Sequence, residues 1–220
     1  MRDPRVLDAV GRVWEGRPEL SLPTLFAMLA NRGVGWGATD EDLLRELAVM
    51  ERERPARLSV VDASYLILAG DHRVTVDPWR VIVRRPGVTA QPGVWDYSSF
   101  RPVTVGGPLV LTSRDGIDHR LGEVTAIKLI DAAATESLDG LQRRDMEDRV
   151  YLLVLEDEST VLLSHGLQRF ITGRRELAQE QVRWESLQAC TPAEPLVVLP
   201  PGGGRPLEFA AVSAIYLVEA

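Results

Sequence analysis

Lysine and cysteine are nearly absent from this chain of 220 residues, in which Lys128 is the only lysine and Cys190 the only cysteine. One thiol cannot form an internal disulfide, so the sequence excludes the disulfide framework of a small secreted domain. One cysteine also cannot complete a zinc site alone. Arginine therefore carries almost all of the positive charge, a usage that indicates a GC-rich bacterial coding bias.

Long apolar runs are missing too. The longest, such as Pro195–Pro200, are far shorter than the roughly 20 residues that a membrane-spanning helix needs. Residues 1–5 lead into a polar helix and contain no apolar signal segment. We therefore expect a cytoplasmic protein without a membrane partner.

The chain also lacks an excess of positive charge, since its net charge is −7 and its pI is near 5.1. The average surface of such a chain repels nucleic acid and acidic lipid, so only a locally basic face could bind them. Hydrophobic residues make up 45% of the sequence. That is enough to build one large core or two modest ones.

Three helices are predicted in the first third of the chain. The first begins after the N-cap Asp3, and the second runs from its cap at Ser21 to a stop at Gly33. The third begins at Thr39, where Asp42 completes a pattern similar to a capping box. Short apolar segments separated by turns follow up to residue 85, and these are typical of strands.

The remainder of the chain is predicted to be mostly strand. Two Pro-Gly pairs indicate a linker over residues 88–100, which separates a domain at 1–87 from a β-rich domain at 101–220. Within the second domain, Ser137–Met146 is predicted as a helix or mobile loop, and Leu167–Glu185 has helical spacing. The expected fold is α+β, with a mostly antiparallel β-rich domain that contains one or two helices.

An internal repeat lies within the second domain. Residues 122–132 read GEVTAIKLIDA and residues 210–220 read AAVSAIYLVEA, and a Pro-Leu-Val triplet precedes each segment, at 108 and at 195. Each copy, 108–132 and 195–220, is predicted to be a hairpin of two strands around a glycine-containing turn. A duplicated unit is one interpretation, and chance similarity between alternating apolar strands is the other.

The order helix, helix, tight turn, helix and hairpin-rich stretch over residues 3–86 resembles the winged helix-turn-helix superfamily. In DNA-binding members, the third helix enters the major groove and the hairpin wing contacts the backbone. The matching helix here, Thr39–Arg54, contains six acidic and three basic side chains. Its net charge of −3 opposes contact with phosphates, so the resemblance implies contacts with protein more than with DNA.

Clustered arginines are the candidates for binding an anionic partner. They lie on the third helix, on the following strands and around Gly173, and they are Arg45, Arg52, Arg73, Arg80, Arg84, Arg85, Arg169, Arg174 and Arg175. The alternative is that each cluster forms a solvated face balanced by local carboxylates, such as Asp71 and Asp77 on the strands.

No pattern in the sequence predicts a catalytic residue, a metal site or a cofactor. The three histidines, His72, His119 and His165, have no partner at metal-ligand spacing, and a G-x-S-x-G elbow is missing. The glycines at 202–204 precede Arg205 and a strand, which favours a hairpin turn over a phosphate-binding loop.

These patterns favour a non-enzymatic regulatory or adaptor protein that contacts mainly protein partners. A DNA-binding transcriptional regulator is the first alternative, and an enzyme with a cleft between the repeated hairpins is the second. The sequence also leaves open a homodimer.

Overall fold

Apolar side chains at helical spacing build a small core from three helices in the part of the chain that the computed structural model describes, residues 4–87, 90–130, 136–172 and 177–220. The helices are α1 (Pro4–Glu15), α2 (Leu22–Asn31) and α3 (Asp40–Glu53). Their predicted caps at Ser21 and Thr39 are confirmed, and the capping box between Thr39 and Asp42 is complete in both directions. The proposed N-cap Asp3 lies outside the described residues. None of the described helices is long and apolar enough to cross a membrane.

Eight strands follow the helices. They are β1 (Arg57–Leu58), β2 (Ser64–Ala69), β3 (His72–Val76), β4 (Arg80–Arg84), β5 (Gly93–Phe100), β6 (Val103–Thr104), β7 (Pro108–Ser113) and β8 (Asp118–Ile130). β2, β3, β4, β5, β7 and β8 form a closed barrel, whereas β1 pairs with β6. Alternate positions on the barrel strands, including Ile67, Val74 and Leu109, are fully buried and fill its interior.

The predicted linker at 88–100 differs from the structure. Gly93–Phe100 form β5, which closes the barrel, and residues 88–89 lie outside the described part. The compact units are therefore not 1–87 and 101–220. The first unit joins Met1–Pro86 to Val94–Leu129, and the second joins Gly87–Gly93 to Ile130–Ala220. Pro-Gly pairs mark tight turns as readily as linkers, and only the long-range pairing of β5 distinguishes the two.

The second unit contains a seven-stranded antiparallel sheet in the order β12-β11-β10-β9-β15-β14-β13. The strands are β9 (Val150–Leu155), β10 (Thr160–Leu163), β11 (Leu167–Thr172), β12 (Leu177–Val182), β13 (Ser186–Ala189), β14 (Pro195–Leu199) and β15 (Leu207–Glu219). A single turn of 3-10 helix covers Arg143–Asp145. The fold is thus α+β and mostly antiparallel β, as predicted.

The helix predicted over Leu167–Glu185 is wrong, because the segment forms β11 and β12, which pair with each other. Leu167 and Phe170 lie on opposite faces of β11, and both are buried. A strand covered on both faces loses the alternation that normally identifies it, so its apolar spacing resembled that of a helix. In Ser137–Met146 the structure has only the 3-10 turn and surrounding loop.

The two predicted hairpins are confirmed. β7 with β8 and β14 with β15 each combine a short strand with one of 13 residues. In both, the register shifts within two residues of the first proline, Pro108 or Pro195. The first hairpin belongs to the closed barrel and the second to the seven-stranded sheet, and their common origin stays a prediction.

The likeness extends beyond these hairpins. Residues 65–71 of β2 and its turn read YLILAGD, and residues 151–157 read YLLVLED. The order β4-β3-β2-β8-β7 in the barrel is matched by β11-β10-β9-β15-β14 in the sheet. Where the barrel has the continuous strand β5, the second unit has two strands, β12 and β13, separated by residues 183–185. The second unit therefore has the same strand order as the barrel, but its sheet stays open because β12 and β13 lie at opposite edges.

Cys190 provides a pH-dependent test of the second core. Its side chain is fully buried, and burial, with a smaller contribution from Asp139, raises the pKa of the thiol from 9.0 to about 12. Above pH 9.0 the thiol of Cys190 loses its proton in the unfolded chain but keeps it in the folded chain. The free energy of unfolding therefore falls as pH rises from 9.0 towards about 12. Urea titrations across this range should show a smaller fall for Cys190→Ala than for the native chain. Equal falls would contradict the buried thiol.

Candidate functional site

The acidic side chains of α3 bind the neighbouring helices. Glu51 lies 2.8 Å from the Arg12 guanidinium of α1, and Glu46 and Glu53 lie 2.6 and 2.8 Å from Arg32, which follows α2. The hydrogen bonds that Arg32 donates to Glu53 and Glu46 raise the pKa of its guanidinium. These carboxylates therefore stabilise the three-helix packing.

Arg45 and Arg52, the two candidate arginines within α3, are both exposed. Arg45 forms an ion pair of 3.0 Å with Asp42, three residues earlier on the same helix. A third helix-region arginine, Arg17, is almost completely buried and donates a hydrogen bond of 2.8 Å to the carbonyl oxygen of Met50. No local pattern selects Arg17, because its partner lies 33 residues away in the chain.

The candidate arginines of the barrel are engaged within the barrel. Arg85 bonds to Asp71, and this hydrogen bond lowers the pKa of the carboxyl group. Arg80 lies 2.8 Å from Asp77. Arg84 is buried with only 6% of its surface exposed, and it lies opposite Arg73 in the register of β3 and β4. Arg84 is therefore not part of an exposed basic face, and the pairs of Arg80 with Asp77 and of Arg85 with Asp71 agree with the alternative of arginines balanced by local carboxylates.

Arg169, the candidate in the second unit, is also held by its own fold. Its guanidinium lies 2.7 Å from Asp157 and 3.6 Å from Glu180, and it stacks over the ring of Phe209 at 5.2 Å. Arg174 and Arg175 lie outside the described residues. Of the nine predicted arginines, the seven that the structure describes do not line the cavity found in the second unit.

That cavity is a groove made of two adjoining cavities of about 400 and 750 Å³. Both are lined by four residues from separate segments, namely Arg143, His165, Trp184 and Pro201. The groove lies at residues 183–185, where β12 ends and β13 has not yet begun. It therefore marks the place where the second unit departs from a closed barrel.

Trp184 forms the apolar floor of the groove. Its side chain is 2% exposed and belongs to the core of the second unit. Its indole Nε1 donates a hydrogen bond of 3.2 Å to the carbonyl oxygen of Ser164 in the turn between β10 and β11. In the barrel, Tyr97 of β5 makes the matching contact, since its hydroxyl donates to the carbonyl of Asp77 at 2.8 Å.

Cationic side chains surround this floor. Arg143 donates through Nε to the carbonyl oxygen of His165 at 2.6 Å, which fixes the 3-10 turn against the β10–β11 turn. Arg144 and Arg183 line the groove and are exposed. Within the described residues no carboxylate lies in ion-pair distance of Arg143 or Arg183. The groove can therefore hold a negatively charged ligand group.

Glu185 is the acidic residue of the groove lining. Its Oε2 accepts a hydrogen bond of 3.3 Å from the backbone nitrogen of Gly202 in the turn after β14. Three arginines and one histidine thus face a single carboxylate, although the segment 130–220 as a whole holds 8 arginines and 15 acidic residues. The groove is therefore positively charged, although the segment around it is negatively charged on average.

Sequence reasoning missed this groove. Arg143 and Arg144 directly precede Asp145, Glu147 and Asp148, a pattern typical of a mixed-charge loop and not of a binding site. Arg183 fell within the segment predicted to be helical. The lining comes from four segments of chain, and no local spacing joins them.

The histidines lie apart. His119 stacks on Trp95 with ring centroids 5.0 Å apart, His72 lies 3.1 Å from Asp71, and His165 lines the groove. Across the residues that the structure describes, no group of three or more histidine, cysteine or acidic side chains could hold a metal ion.

Comparisons of this chain with protein-family models, with curated proteins and with solved structures gave no match, so its function is argued from the geometry of the groove and of the helices.

Proposed function

We propose that this chain is a non-enzymatic adaptor that binds a protein partner. The observation that carries the proposal is the groove in the second unit, where Arg143, Arg144 and Arg183 line two adjoining cavities that share Trp184. An exposed cationic rim around an apolar floor is the combination that protein interfaces use for charged, partly apolar segments.

Protein is favoured over nucleic acid for two reasons. The chain carries a net charge of −7, which repels a polyanion outside the groove. The third helix, which enters the major groove in the DNA-binding relatives that the sequence resembles, begins here with Asp40, Glu41 and Asp42, and these oppose contact with phosphates.

The helical module supplies a second contact surface in this proposal. Large apolar side chains on or beside its helices are exposed, and they are Leu7, Phe26, Trp36 and Val49. Trp36 is fully exposed in the loop between α2 and α3. The resemblance to the winged-helix superfamily stays a prediction, and these apolar side chains support its use for contacts with protein.

Affinity purification of the tagged full-length chain from chemically crosslinked cells of its own species tests the proposal. We expect a protein partner that survives nuclease treatment and is depleted at least about tenfold with the double variant Arg144→Glu/Arg183→Glu. Arg101→Glu/Arg114→Glu is the matched control, because both arginines are exposed in the first unit and the change in net charge is the same. Recovery of nucleic acid alone, or of no partner, would contradict the adaptor function.

A gel-shift assay tests the alternative function in DNA binding. At low salt we expect no shift of random duplex DNA by the native chain, because the first turn of α3 holds three acidic side chains, the net charge is −7 and Arg84 is buried. A salt-sensitive shift that weakens in the Arg84→Ala/Arg85→Ala variant would establish DNA binding in place of the proposed function.

A further inference from the structure

The two edges of the seven-stranded sheet differ. The outer edge of β13 is covered by the segment before the 3-10 turn, since Gly140 N donates to Leu187 O at 2.8 Å and Leu187 N donates to Leu141 O at 2.9 Å. Arg143 N continues this pairing with Glu185 O at 2.8 Å. This edge is therefore closed by the chain itself.

The other edge is β12. Within the described residues β12 pairs with β11 and with no other strand. Its residues 178–181 are all exposed. An edge strand presents a row of backbone donors and acceptors that can template another strand. In the barrel the corresponding position is filled, because β5 pairs with both β4 and β7.

The groove lies at the end of this edge. Gln181 and Val182 of β12 line it together with Arg183, which follows directly. A strand added beside β12 would therefore run into the cationic rim formed with Arg143 and Arg144. Arg144 has Asp145 at 3.7 Å, and Glu185 accepts a hydrogen bond from the backbone of Gly202. Arg143 and Arg183 have no carboxylate in ion-pair distance among the described residues, so they give the rim an excess of positive charge.

We infer that β12 receives an extended, acidic segment of the partner as an additional strand, and that its carboxylates bind Arg143, Arg144 and Arg183. The inference rests on the proposed adaptor function and names the occupant of the same site. β12 has six residues, so the added strand spans about 20 Å. Backbone pairing would supply affinity, and the arginines would select acidic side chains.

A random peptide library displayed on phage and selected on the immobilised full-length chain tests this inference. We expect the enriched peptides to contain more acidic than basic residues. The best of them, made synthetically and measured by fluorescence anisotropy, should bind Arg183→Glu at least about tenfold more weakly than the native chain. Arg114→Glu changes the same charge in the first unit and should bind like the native chain.

Backbone methylation of the peptide tests strand pairing on the native protein, without any risk of misfolding. Methyl groups on one set of alternate amide nitrogens should weaken binding at least about tenfold, and methyl groups on the other set should have little effect. The inference would be overturned if the peptide tolerated methylation of both sets of amides, or if the Arg183→Glu variant bound it with full affinity. It would also be overturned if the selection enriched neutral or basic peptides, or none. If a protein partner copurifies but any of these outcomes is found, the adaptor function stands and only the strand-addition inference is overturned. If acidic peptides bind as expected but no partner copurifies from cells, only the adaptor function is overturned.

Discussion

Replacing Trp184 with alanine is expected to lower the free energy of unfolding of the second unit by about 3–5 kcal/mol, the range measured for the removal of a large buried aromatic side chain. The indole is almost fully buried in the core, so its loss leaves a cavity. It also leaves the carbonyl oxygen of Ser164 without the Nε1 donor. Binding in the groove should fall with stability, because Trp184 forms its floor.

Cys190 makes this measurement specific to the second unit. It is the only thiol of the chain and is buried in the same core as Trp184. The urea concentration at which a thiol reagent begins to react therefore reports unfolding of that core. Trp36→Ala is the control, since Trp36 is fully exposed and its removal should change stability by less than about 0.5 kcal/mol. A loss below about 1 kcal/mol for Trp184→Ala would show that the indole does not pack as described.

Local signals in the sequence were sufficient for the helices and the repeated hairpins. Ser21 and Thr39 cap the predicted helices because their side chains accept backbone N–H bonds from Thr24 and Asp42, all within three residues. Hairpins are equally local, since a turn such as 114–117 joins strands that pair immediately. Each of these elements is determined by residues close together in the chain.

Closure of the barrel could not be predicted in this way. Gly70, which directly follows β2, donates through its backbone nitrogen to the carbonyl oxygen of Glu123 in β8 at 3.0 Å, across more than fifty residues. No local pattern indicates which of several apolar strands β2 will pair with, and the Pro-Gly pairs around β5 favoured a linker. The boundary was placed inside a unit because the barrel is discontinuous in sequence.

The groove was unpredictable for a related physical reason. Sequence reasoning selected arginines that cluster along the chain. Acidic residues lie near those clusters in the sequence as well, and in the structure they pair with the arginines: Arg85 with Asp71 and Arg169 with Asp157. Arg183 is the opposite case. It is isolated in sequence and lies in the groove, without a carboxylate in ion-pair distance among the described residues. Its environment is set by the opening between β12 and β13, which only the sheet order reveals.

The second large effect is expected from Gly16→Ala, which should lower the free energy of unfolding of the first unit by about 2–3 kcal/mol. Gly16 follows α1 and is buried against the end of α3. A Cβ atom there would lie 2.4 Å from the carbonyl oxygen of Arg54 and 3.1 Å from the nitrogen of Ala56. Both atoms belong to the backbone that joins α3 to β1, so the chain itself has to move to relieve the overlap.

The same substitution five residues earlier should act in the opposite direction. Gly11 lies within α1, and a Cβ added there meets no atom within 4 Å. Alanine favours a helix interior over glycine by about 0.8–1.0 kcal/mol, so Gly11→Ala should stabilise the first unit by about this amount. Urea unfolding followed by circular dichroism at the helix band measures both variants. Because the same methyl group is added in both variants, a loss of stability at Gly16 beside a gain at Gly11 points to the contact of Gly16 with the α3–β1 connection. If Gly16→Ala stabilised the first unit as Gly11→Ala does, the end of α1 would not contact Arg54, and the packing of the three helices would differ from the one in the structure.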